Sequence, residues 1–347
     1  MKSKLPIAYA ILAALCYGVS VPFAKLIQAE LPPALIASLL YLGAGLGMSV
    51  VHMCRHNKNK EAKLTKADLP YTIAMILLDI AAPILLMSGL AMTTAATASL
   101  LGNFEIVATS VIALIIFKEA VGRRMWFAIA LITFSSILLS VENFSEIAIS
   151  PGALLVLAAC VCWGIENNCT TKLSLSDPLQ IVIVKGFGAG TGALIIVAIG
   201  GAGNVQWIFI LATLLLGFVA FGLSIYFYIL AQRHIGAART SAYYAFAPFI
   251  GVALSLAIFK ELPTVSFVAA LAVMIAGAYF AASENHKHEH QHDGIEHEHR
   301  HRHDDGHHDH EHEHSPAFVG EHSHIHLHEI KMHLHPHTPD SHHSHRH

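Results

Sequence analysis

GAARTSAYYAFAPFIGVALSLAIFKE, residues 236–261, repeats in outline an earlier stretch of the chain, TTAATASLLGNFEIVATSVIALIIFKE, residues 93–119. Laid on one another, the two pair Ala95 and Ala96 with Ala237 and Ala238, Ser99 with Ser241, and Phe104 with Phe246. They end alike, Phe117, Lys118 and Glu119 over Phe259, Lys260 and Glu261. A duplicated apolar helix gives this pattern, and an internal repeat constrains every later reading of the fold. The copies agree in frame and differ in polar content. Asn103, Glu105 and Ile106 of the first stand where the second has Ala245, Ala247 and Pro248.

Around this pair the composition is that of a membrane protein. Hydrophobic residues make up 54% of the 347 and charged residues 13%, and the two kinds are segregated, with apolar runs filling residues 5–283. A hydrocarbon core about 30 Å thick needs roughly 20 apolar residues in a helix. On that criterion the chain has ten spans, at 5–28, 33–54, 69–91, 93–117, 123–141, 151–172, 177–199, 206–230, 236–259 and 264–283. The first is long and lightly flanked, so it is expected to be retained and not cleaved. Cys16, Cys54, Cys160, Cys162 and Cys169 lie in or at the ends of spans without the spacing of a disulfide scaffold.

Basic residues set the orientation. With the amino terminus inside, thirteen Lys and Arg fall on inner segments, among them the loop 55–66, against Lys25 and Lys260 outside. Both termini are therefore expected in the cytoplasm, and the chain is expected to be a multi-pass protein of the inner cell membrane.

Within the spans a few residues break the apolar pattern. Pro22, Pro83 and Pro248 each remove a backbone donor, so helix breaks are expected there, tolerated in lipid where protein or a cavity satisfies the freed groups. Asp79 sits at mid-membrane, four residues before Pro83. Asn103 and Glu105 lie near the middle of the fourth span, Glu166 in the sixth, and Lys185 inside the seventh. Ionisable groups at such depth face the bundle interior and mark transport pathways. Lys185 can pair with a carboxylate, meet an anionic solute or snorkel to the inner surface. Tyr243 and Tyr244 are candidates for lining the same cavity. Cys162, Glu166 and Cys169 fall on one helical stripe, a spacing suited to an intramembrane metal, although buried cysteine more often serves as a small hydrophobe. Gly43, Gly45 and Gly47 of the second span, matched by Gly188, Gly190 and Gly192 of the seventh, allow close helix approach.

Each repeat has five spans. An odd number gives two copies in one chain opposite orientations in the membrane, an inverted pair of the kind that works by alternating access around a midplane site. An aromatic-Gly pair opens each copy, Tyr17-Gly18 and Trp163-Gly164, and a Phe-x-Glu closes each fourth helix, Phe117–Glu119 and Phe259–Glu261. In these features residues 5–283 resemble the EamA family of the drug/metabolite transporter superfamily. The resemblance implies a ten-helix secondary transporter of small metabolites, often an exporter, with its cavity among the third, fourth, eighth and ninth spans. Two features depart from the family pattern: its proline in the fourth helix survives only as Pro248, and its basic residue early in the second helix only as Lys185, with Leu40 in the first copy.

After Ser283 the composition changes abruptly. Residues 284–347 hold 24 of the 27 histidines, with 13 acidic residues against 5 Lys and Arg. Such low-complexity sequence is expected to lack regular structure. Histidines recur on alternate residues at His286, His288, His290 and His292, at His297, His299, His301 and His303, at His310, His312 and His314, and at His322, His324, His326 and His328. Imidazoles among carboxylates suit zinc, nickel, cobalt or copper.

The sequence thus predicts an all-α integral membrane protein of ten transmembrane helices in two inverted five-helix repeats, residues 1–142 and 143–283, followed by a disordered cytoplasmic tail, 284–347. The function expected is secondary transport of a small molecule, with divalent metal on the tail and no required cofactor. Two other readings remain open here: a divalent-metal transporter, and a membrane-tethered metal sensor or store. No nucleophile and base pair or phosphate loop points to an enzyme. The partners expected are lipid, a small solute, metal ions and a second copy of the chain as a homodimer, with no nucleic acid.

Overall fold

The computed structural model describes residues 5–54, 63–116, 121–143, 148–173, 176–201, 205–235, 240 and 243–283, and tail segments 286–291, 296–301, 322–327 and 332–337. Among the described residues ten helical units make up the bundle. They are α1 (Leu5–Gly18 and Ser20–Ile27), α2 (Pro33–Cys54), α3 (Leu69–Ala91), α4 (Ala95–Leu101 and Phe104–Ile116) and α5 (Arg123–Ser140). The second set is α6 (Pro151–Leu173), α7 (Pro178–Gly200), α8 (Trp207–Gly217, then Phe218–Leu223 and Ser224–Ile235), α9 (Ala247–Phe259) and α10 (Val265–Ala282). Nine are long and apolar enough to cross a membrane, and α9 is shorter, its expected beginning at 236 lying partly outside the described residues.

Local chemistry explains the starts. Pro33, Pro151 and Pro178 open helices where a missing N–H costs nothing. Thr94 and Thr264 cap α4 and α10 by accepting from the amides of Thr97 and Phe267, and Asp177 caps α7 by accepting from Leu179. Large apolar side chains such as Ile11, Leu46, Val50, Phe127, Ile195 and Ile199 point outward, as lipid-facing positions do.

The halves pack by a rule that exchanging them leaves unchanged. Helix α1 lies along α8 and α3 along α6, while α2 pairs with α7, α4 with α9 and α5 with α10. The correspondence extends to single contacts. A Cβ on Gly43 or Gly47 of α2 would strike Leu214 and Phe218 of α8; one on Gly188 or Gly192 of α7 would strike Ile76 and Ile80 of α3. Gly18 of α1 sits against Ala247 and Ile250 of α9, and Gly164 of α6 against Ala108 and Thr109 of α4. The glycine of each aromatic-Gly pair is therefore where two helices meet without room for a side chain. Between α2 and α7 the backbones meet at Gly45 and Gly186, and Ser38 Oγ donates to the Gly190 carbonyl at 2.8 Å.

The breaks follow the same correspondence with different chemistry. Helix α4 breaks between Leu101 and Phe104 without a proline, through i+3 bonds from Glu105 N to the Gly102 carbonyl and Ile106 N to that of Asn103. Its counterpart turns at Ala245 and Phe246, and Pro248 stands in the first turn of α9 instead of breaking a continuous helix. Pro22 lies just past the break at Val19 in α1, as expected. Pro83 stays inside α3, and at the matching level of α8 the ladder widens into a π-turn, Phe218–Leu223, which no proline announces.

Outside the membrane part, β1 (Val141–Asn143) pairs with β2 (Ala148–Ile149) between α5 and α6. In the tail β3 (His286–Gln291) pairs with β6 (Met332–His337), and β4 (Glu296–His301) with β5 (His322–Leu327), all antiparallel. The alternate-residue recurrence of histidine there has the period of a strand.

Candidate functional site

Three ionisable residues far apart in sequence meet between the halves. Lys185 Nζ of α7 lies 2.9 Å from Glu166 Oε1 of α6 and 3.2 Å from Asp79 Oδ2 of α3. Asp79 is fully buried, Glu166 2% exposed and Lys185 6% exposed, so water screens the set little. Tyr41 of α2 donates its hydroxyl to Asp79 Oδ1 at 2.7 Å, and Thr170 donates to Glu166 one helical turn along α6. Asp79 Oδ2 faces the Lys185 ammonium at 3.2 Å and has no further partner among the described residues. Tyr41 and Asp79 come from the first half, Glu166 and Lys185 from the second. Lys185 therefore neither snorkels nor stands free.

The pseudo-equivalent place holds no charge. The shift that carries Ile76 and Ile80 onto Leu214 and Phe218 carries Asp79 onto Gly217, and the shift from Gly188 to Gly43 carries Lys185 onto Leu40. A Cβ on Gly217 would lie 2.0 Å from the Leu40 carbonyl oxygen, so backbone contact replaces the ion pair there. One interface between the halves is electrostatic and its twin is steric.

A second polar group lies at the break in α4. Glu105, half-buried, accepts from Asn167 Nδ2 of α6 at 2.7 Å; Asn167 also reaches Thr109 Oγ1 at 3.3 Å. Asn168 Nδ2 donates to the carbonyls of Gly164 at 2.8 Å and Thr109 at 3.2 Å, and Cys160 Sγ approaches the Leu101 carbonyl at 3.6 Å. These bonds hold the loosened turn of α4 onto α6. Asn103 is 1% exposed, and neither its Oδ1 nor Ser99 Oγ on the same turn has a hydrogen-bond partner among the described residues. Tyr244 packs edge-on to Tyr228 at 5.0 Å and tilted against Tyr17 at 5.7 Å, with Tyr243 half-buried beside it.

A narrow cavity runs beside that break, lined by Tyr17, Ser99, Cys160, Trp163, Pro248 and Gly251. Its volume of about 20 Å³ admits one water and no metabolite. At the end of the bundle where α3 turns into α4, a wide depression of about 430 Å³ opens over Thr93, Thr94, Thr97 and Ser150. Beside it Lys25 Nζ of α1 donates to the carbonyls of Leu90 at 2.5 Å and Thr93 at 2.8 Å, and Gln28 Nε2 to that of Met87 at 2.5 Å.

The structure therefore joins Asp79, Glu166 and Lys185, sets Glu105 and Asn103 on the neighbouring break, and leaves Tyr244 in an aromatic group. It does not assemble the Cys162, Glu166, Cys169 stripe into a ligand set: no three of His, Cys, Asp or Glu come together for a metal among the described residues. Glu166 instead holds Lys185. The charged cluster lies among α2, α3, α6 and α7. Tyr41 and Asn167 escaped the sequence reading. The signals available were a phenol in an otherwise apolar span and an Asn beside Glu166. His292, His303, His310, His312, His314 and His328 lie outside the described residues, as do the side chains of the other tail histidines.

Comparison with known proteins agrees with this architecture. A solved crystal structure superposes with a TM-score of 0.61 over 81% of this chain and 96% of its own, at 14% identity, a likeness of fold alone. A protein named as an uncharacterized transporter of Methanothermobacter thermautotrophicus is 27% identical over 269 residues, 72% of this chain and 78% of that protein. The model of the EamA-like transporter family matches twice, over residues 4–141 and 150–283. Two matches, one to each half, agree with the repeated packing, and the chain belongs to the EamA-like transporter family.

Proposed function

We propose that the chain is a secondary active exporter that moves a small metabolite across the inner membrane by alternating access of two inverted halves. The observation that carries this reading is the buried ion pair of Asp79 and Lys185 between the halves, opposite an uncharged backbone contact at Gly217 and Leu40. A contact that exchanges charge can be made and broken during a cycle, whereas a backbone contact serves as a fulcrum. Glu105, on the break in α4 beside a cavity closed to anything larger than water, is the polar group positioned to meet solute when the centre opens. On the orientation expected from basic residues, the depression at Thr93–Thr97 faces outward, Lys25 and Gln28 close that end, and both termini lie in the cytoplasm.

The tail is a divalent-metal ligand on this reading, supported by its 24 histidines and 13 acids, and it regulates or supplies and does not form the pathway. The test is flux in proteoliposomes of protein lacking residues 284–347, comparing a panel of amino acids and related metabolites with zinc, nickel and cobalt. Metabolite flux without metal movement is expected. Metal flux with no metabolite flux refutes the reading and revives the metal carrier.

A further inference from the structure

The charge of the buried cluster does not close. Asp79 and Glu166 share one ammonium, and Tyr41 and Thr170 add neutral donors. With every group ionised, one negative charge is left over in a site from which water is nearly excluded, an arrangement that costs several kcal/mol. Among the described residues the neighbouring titratable groups do not cancel it. From α4 comes Glu105, also acidic, and from α6 the thiol of Cys169, while α2 contributes Tyr41. The missing positive charge must therefore come from solvent. A metal ion needs several oxygen ligands around it, but Glu166 Oε1 is engaged by Lys185 and Thr170, and Asp79 Oδ1 by Tyr41. A proton needs one oxygen, and Asp79 Oδ2 meets only the Lys185 ammonium among the described residues.

We propose that Asp79 is the coupling site of the transporter: it takes up and releases one proton per cycle, and its protonation opens the ion pair between the halves. In the loaded state a solvent proton bonds to Asp79 Oδ2, and the attraction to Lys185 is lost. Lys185 stays paired with Glu166 inside the second half, and the cluster is neutral. In the empty state the proton returns to solvent, Asp79 is a carboxylate, and the pair closes again. The change acts on one interface only, since its twin at Gly217 and Leu40 has no charge to lose. Pro83, four residues along α3, leaves the Asp79 carbonyl without its helical donor, so the helix can bend next to the titrating group. This inference deepens the transport reading and rests on it.

The test has two arms on the full chain in liposomes. Infrared difference spectra over a pH titration report the carbonyl stretch of a buried protonated carboxyl, without any transported solute. One such band per chain is expected in the wild type and in Glu105→Gln, displaced in Asp79→Glu and absent in Asp79→Asn. A wild type with no titrating band, or a band unchanged in both Asp79 variants, overturns the assignment. In the second arm, an imposed pH gradient should change the initial flux of whichever panel metabolite is carried about tenfold in the wild type and leave Asp79→Asn unaffected. Flux indifferent to the gradient in the wild type overturns the coupling. A titrating band with no flux of any metabolite supports the proton site and sinks the transport reading instead.

Discussion

Replacing Lys185 by Met tests the buried cluster most directly. The substitution keeps an unbranched apolar stem and removes the ammonium, leaving Asp79, fully buried, and Glu166, 2% exposed, as two carboxylates facing the vacated position. Breaking a buried pair by removing one partner costs about 3–5 kcal/mol, because the charge left behind has neither water nor counter-ion. Asp79→Asn does far less. Lys185 keeps Glu166 at 2.9 Å, the amide oxygen still accepts from Tyr41, and removal of the surplus negative charge offsets part of the lost pairing, so at most about 1–2 kcal/mol is lost. In a chain of this size the first loss lowers the thermal midpoint by roughly 10 °C and the second by a few degrees. Unfolding of the purified protein in detergent can be followed by thiol labelling of Cys160, which is 1% exposed in the fold. The double variant should be more stable than Lys185→Met alone, since one carboxylate fewer is stranded. Mild acid should recover part of the Lys185→Met loss, because a protonated carboxyl leaves no charge unpaired. A Lys185→Met midpoint within a degree or two of the wild type, or an Asp79→Asn loss larger than it, would refute the charge pairing.

Three further outcomes are expected. Gly217→Val places carbon 2.0 Å from the Leu40 carbonyl oxygen and should prevent folding or cost more than 3 kcal/mol, whereas Gly200→Ala, with nothing within 4 Å, should leave the midpoint within about 0.5 kcal/mol of wild type; equal effects would refute the packing. Glu105→Gln preserves an acceptor for Asn167 and should insert and fold normally while losing at least ~90% of flux; unchanged flux in the liposome assay removes Glu105 from the pathway. Removing residues 284–347 should abolish zinc and nickel binding measured by equilibrium dialysis and retain metabolite flux, and metal binding that survives the deletion would place the ligands in the membrane part.

Much of the architecture was legible from the residues. The span lengths are set by hydrocarbon thickness, so counting apolar residues located nine of the ten helices to within a few positions. The shared frame of 93–119 and 236–261 announced the duplication, and the glycines at 43, 45, 47, 188, 190 and 192 marked where helices touch. Each of these is a local property, carried by a residue and its near neighbours. The candidate charges were equally plain as a set, since any ionisable group at mid-membrane stands out.

Which of those charges meet was decided by the tertiary structure. Lys185 is as close in sequence to Glu166 as to many residues it never touches, and its contact with Asp79 exists because α3 and α7 cross at one level. The break in α4 occurs without a proline, with side chains of α6 bonded to Leu101, Glu105 and Thr109 on either side of it. The π-turn of α8 and the hydrogen bond from Tyr41 likewise depend on neighbours distant along the chain. Helix formation and membrane insertion are governed by hydropathy and periodicity, which a sequence displays; the pairing of buried polar groups is governed by the angle and register at which helices pack, which arise when all ten are in place.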